Sequence, residues 1–181
     1  MKKNSITGIE NDLRGIPENV AKNMHALLEE KNYKEKHRAK EALLKKGSSI
    51  LPHMHNLLAS GNASLRREAT RMIELLADKK SILPLIQLLS DPETEIRWMA
   101  AEGLIRIGRR SIEPILKAVR DNEDAFLLDK GAHHVLVCLL HRKEKEKLKP
   151  LLLSLDNYHE LGETSPLEAE KALKTAFKIT K

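Results

Sequence analysis

The chain has 181 residues, of which 41% are hydrophobic and 3% aromatic, and its formal net charge at pH 7 is +6. That apolar content suffices for one continuous core, while 32 basic against 26 acidic side chains give a smaller positive excess than most dedicated nucleic-acid binders carry. The single cysteine, Cys138, excludes an intramolecular disulfide framework, and no apolar run approaches the roughly 18 residues that a membrane-spanning helix needs. We therefore expect a soluble, cytoplasmic protein without membrane association.

A polar lead-in and five helix pairs are predicted along the chain. Leu, Ala, Lys, Glu and Arg dominate the composition, which favours helices, and apolar residues nowhere alternate strictly as they would in a strand. We expect residues 1–16 to be loosely ordered and residues 17–181 to form a single repeat domain. The predicted pairs span residues 17–46, 49–77, 80–108, 110–142 and 145–179.

One sequence pattern recurs in these pairs. Residues 81–84 (Ser-Ile-Leu-Pro) return at residues 111–114 (Ser-Ile-Glu-Pro), which is an interval of 30 residues. A small residue recurs in the second helices at Ala39, Ala69, Ala100 and Ala132. A helix pair this short cannot bury its own apolar stripe, so each pair must pack on its neighbours and share one extended core.

The predicted helix ends carry residues that begin and end helices. Asp91 places a capping side chain before Pro92, which we predict to be the first helical residue of the second helix in the third pair. Gly108 is predicted to end that helix. The fourth pair is expected to be atypical, because Asp129 stands where the other second helices have a basic residue.

The period, the proline within the first helix, the step from Asp91 to Arg97 and the Ala-Leu pattern of the second helix together resemble HEAT repeats. In particular, they resemble the short bacterial HEAT-like repeats of phycobilisome-lyase-type proteins. The resemblance covers about residues 17–179 and is strongest at 49–119. It implies an all-α, right-handed superhelix that binds another macromolecule on a curved surface. It also implies that Asp91 and Arg97 are structural, in a ladder between adjacent repeats that Ser60, at the aspartate position of the preceding repeat, leaves incomplete.

Some proteins of HEAT-like fold are enzymes, and each kind can be compared with this chain. Deoxyhypusine hydroxylases hold iron with repeated His-Glu pairs, whereas the His-Glu pair here, at residues 159–160, falls in an irregular connection. Nothing in the chain identifies the pigment site of a bilin lyase. DNA-alkylation-repair glycosylases use a cleft with aromatic and acidic residues, and Trp98, the single tryptophan, keeps a DNA-binding protein of that kind as the alternative.

A line of possible metal ligands runs along the second helix of the fourth pair. His134, Cys138 and His141 are spaced at i, i+4 and i+7, and imidazole and thiolate groups bind zinc. The outer two positions are separated by about 10 Å of helical rise, which is too far for one ion. We therefore predict no metal and no cofactor, and we expect Cys138 to be buried in the core stripe with Leu136 and Leu139.

Four pairs of basic residues lie at the ends of the predicted second helices, and we call them the basic edge. They are Lys45-Lys46, Lys79-Lys80, Arg109-Arg110 and Arg142-Lys143. Stacked repeats would align them over about 30 Å, where they could bind a phosphate backbone or an acidic protein segment. Basic residues at helix C-termini also complement the helix dipole in proteins that bind nothing there, so both interpretations stay open.

A second candidate surface lies on the predicted second helices themselves. It comprises Arg67, Trp98 and Lys130, with Arg71 and Glu102 one turn later. The resemblance places second helices on the concave side, where an exposed tryptophan beside arginine is typical of an interface, although Trp98 could equally pack between repeats. We predict a non-enzymatic binding module with a protein partner, with DNA as the alternative, and a monomer by default.

Overall fold

A computed structural model of the chain describes residues 9–122, 126–156 and 164–176, and these residues form helices joined by turns, with no strand among them. The α-helices of this part are α1 (Glu18–Glu29), α2 (Tyr33–Leu44), α3 (Leu51–Leu57), α4 (Ala63–Leu76), α5 (Ile82–Leu88), α6 (Thr94–Ile107), α7 (Ile112–Asp121), α8 (Phe126–Leu139), α9 (Arg142–Lys147), α10 (Lys149–Asp156) and α11 (Thr164–Ala176). Short 3-10 turns at Gly47–Ile50, Lys79–Ser81 and Arg109–Ser111 precede α3, α5 and α7. The all-α class predicted from the sequence is confirmed.

The helices pack in the predicted pairs. Contacts join α1 to α2, α3 to α4, α5 to α6, α7 to α8 and α10 to α11. The sequence analysis did not predict α9, which contains no buried residue. This short helix begins with a capping box, in which His141 and Glu144 satisfy each other's backbone N–H groups. None of the helices in the described ranges is long and apolar enough to cross a bilayer.

The chain divides into two compact units, Met1–Ser81 and Ile82–Lys181, which we call unit 1 and unit 2. Within the described residues, unit 1 contains α1 to α4 and unit 2 contains α5 to α11. The core of unit 1 has fully buried side chains on each of its helices, among them Met24, Leu43, Met54 and Ile73. This arrangement follows from the amphipathic pattern, because each helix turns one apolar stripe toward its neighbours.

Residues 9–16 are the described part of the predicted lead-in. Ile9 and Leu13 are both buried, and the Asp12 carboxylate accepts a hydrogen bond from the Ser60 hydroxyl at 2.5 Å. These residues therefore contribute to unit 1, whereas the limits of the repeat domain at residues 17–181 stay a prediction.

Unit 2 brings two of its second helices, α6 and α8, together. Helix α6 packs on α8, which also packs on α10, while α5 and α11 both pack on α7. Gly131 of α8 allows the turn between α5 and α6 to approach closely, because a Cβ atom at Gly131 would lie 2.8 Å from Cδ2 of the fully buried Leu89 in that turn. A glycine in a helix normally weakens it, so its value here lies in the close packing that it permits.

The turn before α6 sets the position of that helix. Its capping residue is Glu93, which corrects the prediction that Asp91 caps a helix beginning at Pro92. The Asp91 carboxylate instead accepts a hydrogen bond from the Glu93 backbone N–H at 2.8 Å, within the turn. Arg97 donates to the main-chain oxygens of Asp91 and Pro92 and to the Thr94 hydroxyl, at 2.7–2.9 Å.

Unit 1 contains a turn of the same construction before α4. The Ser60 hydroxyl accepts from the Asn62 backbone N–H at 2.9 Å, and Arg66 donates to the Ser60 main-chain oxygen at 2.9 Å. In this turn, Ser60 is thus equivalent to Asp91, and Arg66 is equivalent to Arg97. These contacts tie the arginine to its own turn, and the ladder between repeats stays a prediction.

Candidate functional site

Trp98 is an exposed aromatic side chain on α6 of unit 2. Its neighbours Ile96, Met99 and Ala100 occupy the buried face of α6, so the indole points away from the core and keeps 57% of its surface exposed. The indole stacks on the His134 imidazole of α8, with ring centroids 4.7 Å apart and 29° between the planes. Of the two alternatives for Trp98, the structure supports the exposed one.

A groove of about 240 Å³ lies beside this stacked pair, between α6 and α8. We call it the Trp98 groove. It is lined by Leu89, Thr94, Arg97, Trp98, Ala101, Leu127, Lys130, Gly131 and His134. Among the described residues, the lining thus combines aliphatic and aromatic carbon with two cationic side chains and no carboxylate.

Glu102 holds the histidine of the stack in position. Its Oε1 lies 3.3 Å from Nε2 of His134, and both side chains are about one third exposed. Glu102 lies four residues after Trp98 and therefore on the same face of α6. The contact stabilises the imidazole over the indole, so the aromatic pair is already in place before any partner binds.

Neutral acceptors position the Arg97 guanidinium of the groove, because its hydrogen bonds go to two main-chain oxygens and one hydroxyl. These bonds fix its geometry but do not neutralise its charge. Lys130 Nζ donates to the main-chain oxygen of Asp156 at 3.1 Å. Both cations are thus oriented by the fold at the rim of the Trp98 groove.

The structure separates the predicted second-helix residues into two sets. Trp98, Lys130 and Glu102 belong to the groove and its support in unit 2. Arg67 and Arg71 belong to unit 1, where each has its Nε atom 3.9 Å from a carboxylate oxygen of Glu68. The sequence analysis treated His134 as a possible metal ligand and missed its stack on Trp98. His134 lies four residues after Lys130 and therefore on the same helix face, and this spacing could have indicated that it belongs to the same surface.

The possible metal ligands of α8 do not form a site. No group of three ligating side chains that could hold an ion occurs among the residues that the structure describes. Cys138 is exposed, which corrects the prediction of a buried thiol. The core face of α8 is formed instead by Leu128, Ala132, Val135 and Leu136, whereas Cys138 is exposed. The predicted His-Glu pair at residues 159–160 lies outside the described residues.

In unit 1, part of the basic edge lies beside an aspartate. Lys45, Lys79 and Lys80 are exposed and Lys46 is half-buried. Asp78 accepts hydrogen bonds from the Lys80 backbone N–H at 2.9 Å and from the Ser48 hydroxyl at 2.5 Å, and these bonds hold the pKa of its carboxyl below the usual value. Asp78 therefore places a negative charge beside Lys79 and Lys80.

In unit 2, the basic edge is partly engaged in ion pairs. Arg109 donates to both carboxylate oxygens of Glu144, at 2.5 and 3.0 Å, and to the main-chain oxygen of Leu139 at 3.1 Å. This pairing lowers the pKa of Glu144 to about 2. Arg142 Nε lies 3.4 Å from Glu146, although the arginine is almost fully exposed.

The fourth basic pair is not where the sequence predicted it. Helix α8 ends at Leu139, and Arg142 and Lys143 form the first turn of α9. Their charges therefore do not complement a helix C-terminus. The predicted placement of this pair at the end of a second helix is wrong, because the chain turns at residues 140–141 and starts a new helix.

A contact that the sequence analysis missed joins His55 to Ser81 in unit 1. His55 Nε2 lies 2.9 Å from Ser81 Oγ, and burial lowers the pKa of the imidazole although the Asp78 charge opposes this. His55, Ser81 and Asp78 together have the residue types of a catalytic triad. Ser81 is fully buried, however, and the equivalent Ser111 donates to the main-chain oxygen of Leu104, so we assign both hydroxyls a structural role.

Residues 51–132 match the family model of HEAT repeats. HEAT repeats are therefore shown for this part of the chain. The matched residues run from the start of α3 into α8, and they include Trp98 and Lys130 of the groove. No curated protein and no solved structure matches the chain. The finer resemblance to phycobilisome-lyase-type repeats stays a prediction.

Proposed function

We propose that this HEAT-repeat chain is a non-enzymatic protein-binding module whose partner binds on the second-helix surface around Trp98. The observation that carries the proposal is the exposed indole, which is held by His134 beside the Trp98 groove. Tryptophan is enriched among the residues that dominate binding energies at protein interfaces. A side chain that is already ordered also loses little entropy on binding, which leaves more of the contact energy as affinity.

The repeat architecture supports a protein partner as well. Helix pairs that stack on their neighbours form an extended surface without a deep cleft, and such surfaces bind other macromolecules through contacts spread over several repeats. On this basis we propose Arg67 and Arg71 of α4 as further contacts, with Lys130 and Glu102 beside Trp98. We also propose a cytoplasmic monomer, since an exposed single cysteine suits a reducing compartment.

The basic edge is the second part of the proposal, as a contact for acidic protein segments. The exposed side chains of Lys79, Lys80 and Arg110 support it. The same observation favours the alternative function, which is binding to the phosphate backbone of DNA. We prefer a protein partner because Arg109 and Arg142 already face the carboxylates of Glu144 and Glu146.

The first experiment uses wild-type protein and Trp98→Ala as bait to capture partners. Each captured protein is then purified, and its Kd for both forms of the chain is measured directly. We expect Trp98→Ala to weaken binding at least tenfold, or about 1.4 kcal/mol. The matched control is Leu83→Ala, because Leu83 of α5 is 66% exposed in the same unit and does not line the groove. Equal affinities for wild type and Trp98→Ala would contradict the proposal.

A second experiment tests DNA. Binding of a labelled duplex would be measured at low and at moderate salt, because phosphate contacts weaken steeply as salt rises. We expect no binding that distinguishes wild type from a variant with Lys79, Lys80 and Arg110 changed to serine. Tight binding that collapses with salt and is lost in that variant would replace the protein partner with DNA.

A further inference from the structure

The size of the Trp98 groove limits what can occupy it. Its volume of about 240 Å³ is below the roughly 300–1,000 Å³ of typical small-molecule pockets. Leu89 and Ala101 are buried beneath it, Leu127 is half-buried, and the Trp98 indole forms one wall. This volume and this apolar surface suit one large apolar side chain that projects from a partner.

The charge of the lining indicates what lies next to that side chain. Arg97 and Lys130 flank the groove, and none of the lining residues that the structure describes is acidic. Three of the five N–H donors of Arg97 are used in the bonds to Asp91, Pro92 and Thr94 that the structure describes. An incoming carboxylate can therefore bind this fixed guanidinium, and charge-assisted bonds of this kind are stronger than neutral ones.

Two glutamates of α6 restrict how much negative charge the partner can bring. Glu95 lies three residues before Trp98 and Glu102 four residues after it, so both lie on the helix face of the indole. A nucleic-acid strand laid along this face would bring its phosphates close to both carboxylates, which is unfavourable. One acidic side chain directed toward Arg97 and Lys130 avoids that repulsion.

We infer that the Trp98 groove binds a segment of the partner protein in which a large apolar residue adjoins an acidic one. The apolar side chain packs against Trp98 and Leu127, and the neighbouring carboxylate binds between Arg97 and Lys130. This inference rests on the proposed function and specifies the chemistry of the partner segment.

The test uses three synthetic peptides that share a central leucine and differ only in its neighbours, which are glutamate, glutamine or lysine. Trp98 is the single tryptophan of the chain, so its fluorescence reports binding at the groove without a label. We expect the glutamate peptide to bind about tenfold more tightly than the glutamine peptide, and the lysine peptide to bind most weakly.

The variant Lys130→Gln should reduce the preference for glutamate over glutamine. Lys117→Gln is the matched control, because Lys117 of α7 is also an exposed lysine of unit 2 and lies outside the groove. Lys117→Gln should leave the preference unchanged. Arg97 is left intact in these variants, since its bonds to the turn before α6 make it a structural residue as well.

Three outcomes overturn the inference in different ways. Equal affinity for all three peptides would remove the acidic requirement but leave Trp98 as a protein contact. If none of the peptides binds while a captured partner still depends on Trp98, the inference fails and the proposed function stands. If single-stranded or duplex DNA perturbs Trp98 fluorescence and the peptides do not, both fail.

Discussion

Arg67 of unit 1 and Trp98 of unit 2 occupy equivalent positions in their repeats. The residues before them, Arg66 and Arg97, make the same hydrogen bond to the turn that precedes the helix. At Arg67 the surface carries a loose ion pair, with 3.9 Å between Nε and a Glu68 oxygen. At Trp98 it carries an aromatic pair beside a groove.

The comparison separates two properties of the surface, namely the position of a side chain on the second helix and the residue type at that position. The repeat determines where a side chain emerges from the second helix, and the same arginine bond holds the turn before that helix in both units. The residue type at that position then determines what the surface can bind. An ion pair as long as 3.9 Å contributes little, whereas an ordered indole contributes a large apolar contact.

The largest effect is expected from Asp129→Asn, at the position where unit 1 has Arg66. Asp129 is 3% exposed and burial raises its pKa to about 6, although a hydrogen bond from the Ser165 hydroxyl opposes this. Because the folded state holds the proton more tightly than the unfolded chain, the associated stability is present at low pH and is lost as pH rises through about 6. We expect Asp129→Asn to stabilise unit 2 at pH 8 by up to about 3 kcal/mol, with little change at pH 4.

Urea unfolding at the two pH values, followed by Trp98 fluorescence, would measure this difference. Asp121→Asn is the control, since Asp121 is an exposed carboxylate of the same unit that pairs with Arg120. It should give no comparable gain at pH 8. A loss of stability at pH 8 in Asp129→Asn would show that the charged form is the favoured one, against the stated direction.

A smaller effect is expected from Gly131→Ala. Alanine usually stabilises a helix relative to glycine by about 1 kcal/mol. Here the added Cβ would lie 2.8 Å from Leu89 Cδ2 and 3.1 Å from Leu89 Cβ, and Leu89 is fully buried and cannot move freely. We therefore expect unit 2 to lose about 1–2 kcal/mol, because overpacking outweighs the gain in helix propensity.

The same unfolding experiment measures the effect of Gly131→Ala. Gly61→Ala in unit 1 is its control, because an added Cβ there meets nothing within 4 Å. It should change stability by no more than about 0.5 kcal/mol. If Gly131→Ala were instead stabilising, α8 would not depend on close contact with Leu89.

The sequence predicted the helix pairs well because their pattern recurs. The repeated Ser-Ile-x-Pro segments and alanines give several independent indications of the same fold, so an error in one does not change the result. The exposed Trp98 beside Lys130 was also predicted as a candidate surface, since its neighbours in α6 take the core positions.

The orientation of the last turns of α8 was not predictable in the same way. Residues 135–140 are an unbroken apolar run, Val-Leu-Val-Cys-Leu-Leu, in which periodicity does not identify the buried face. Cys138 was therefore placed in the core although it is exposed. The His134 stack and the Arg109–Glu144 pair join residues 32 or more positions apart along the chain, and only the packing of α6, α8 and α9 brings them together.

The smallest effect is expected from Arg109→Ala, which tests whether the basic edge differs between the units. Arg109 pairs with Glu144, whereas the equivalent Lys79 follows Asp78 in an exposed turn. Since the side chains of the pair are 46% and 27% exposed, we expect a loss of only about 0.5–1 kcal/mol in unit 2. Lys79→Ala is the control in unit 1 and should be close to neutral.

The pH dependence of this effect identifies its source. The pKa of Glu144 is lowered to about 2, so the stabilisation from the pair is present above the ordinary carboxylate pKa and is lost as pH falls toward 2. Added salt should reduce it further, because the pair is partly exposed. A loss in Arg109→Ala that persists unchanged at high salt would assign the effect to the hydrogen bond with the Leu139 main-chain oxygen. That result would make Arg109 a structural link between the turn before α7 and the end of α8, and would leave Lys45, Lys79, Lys80 and Arg110 as the positive charges available to an acidic partner.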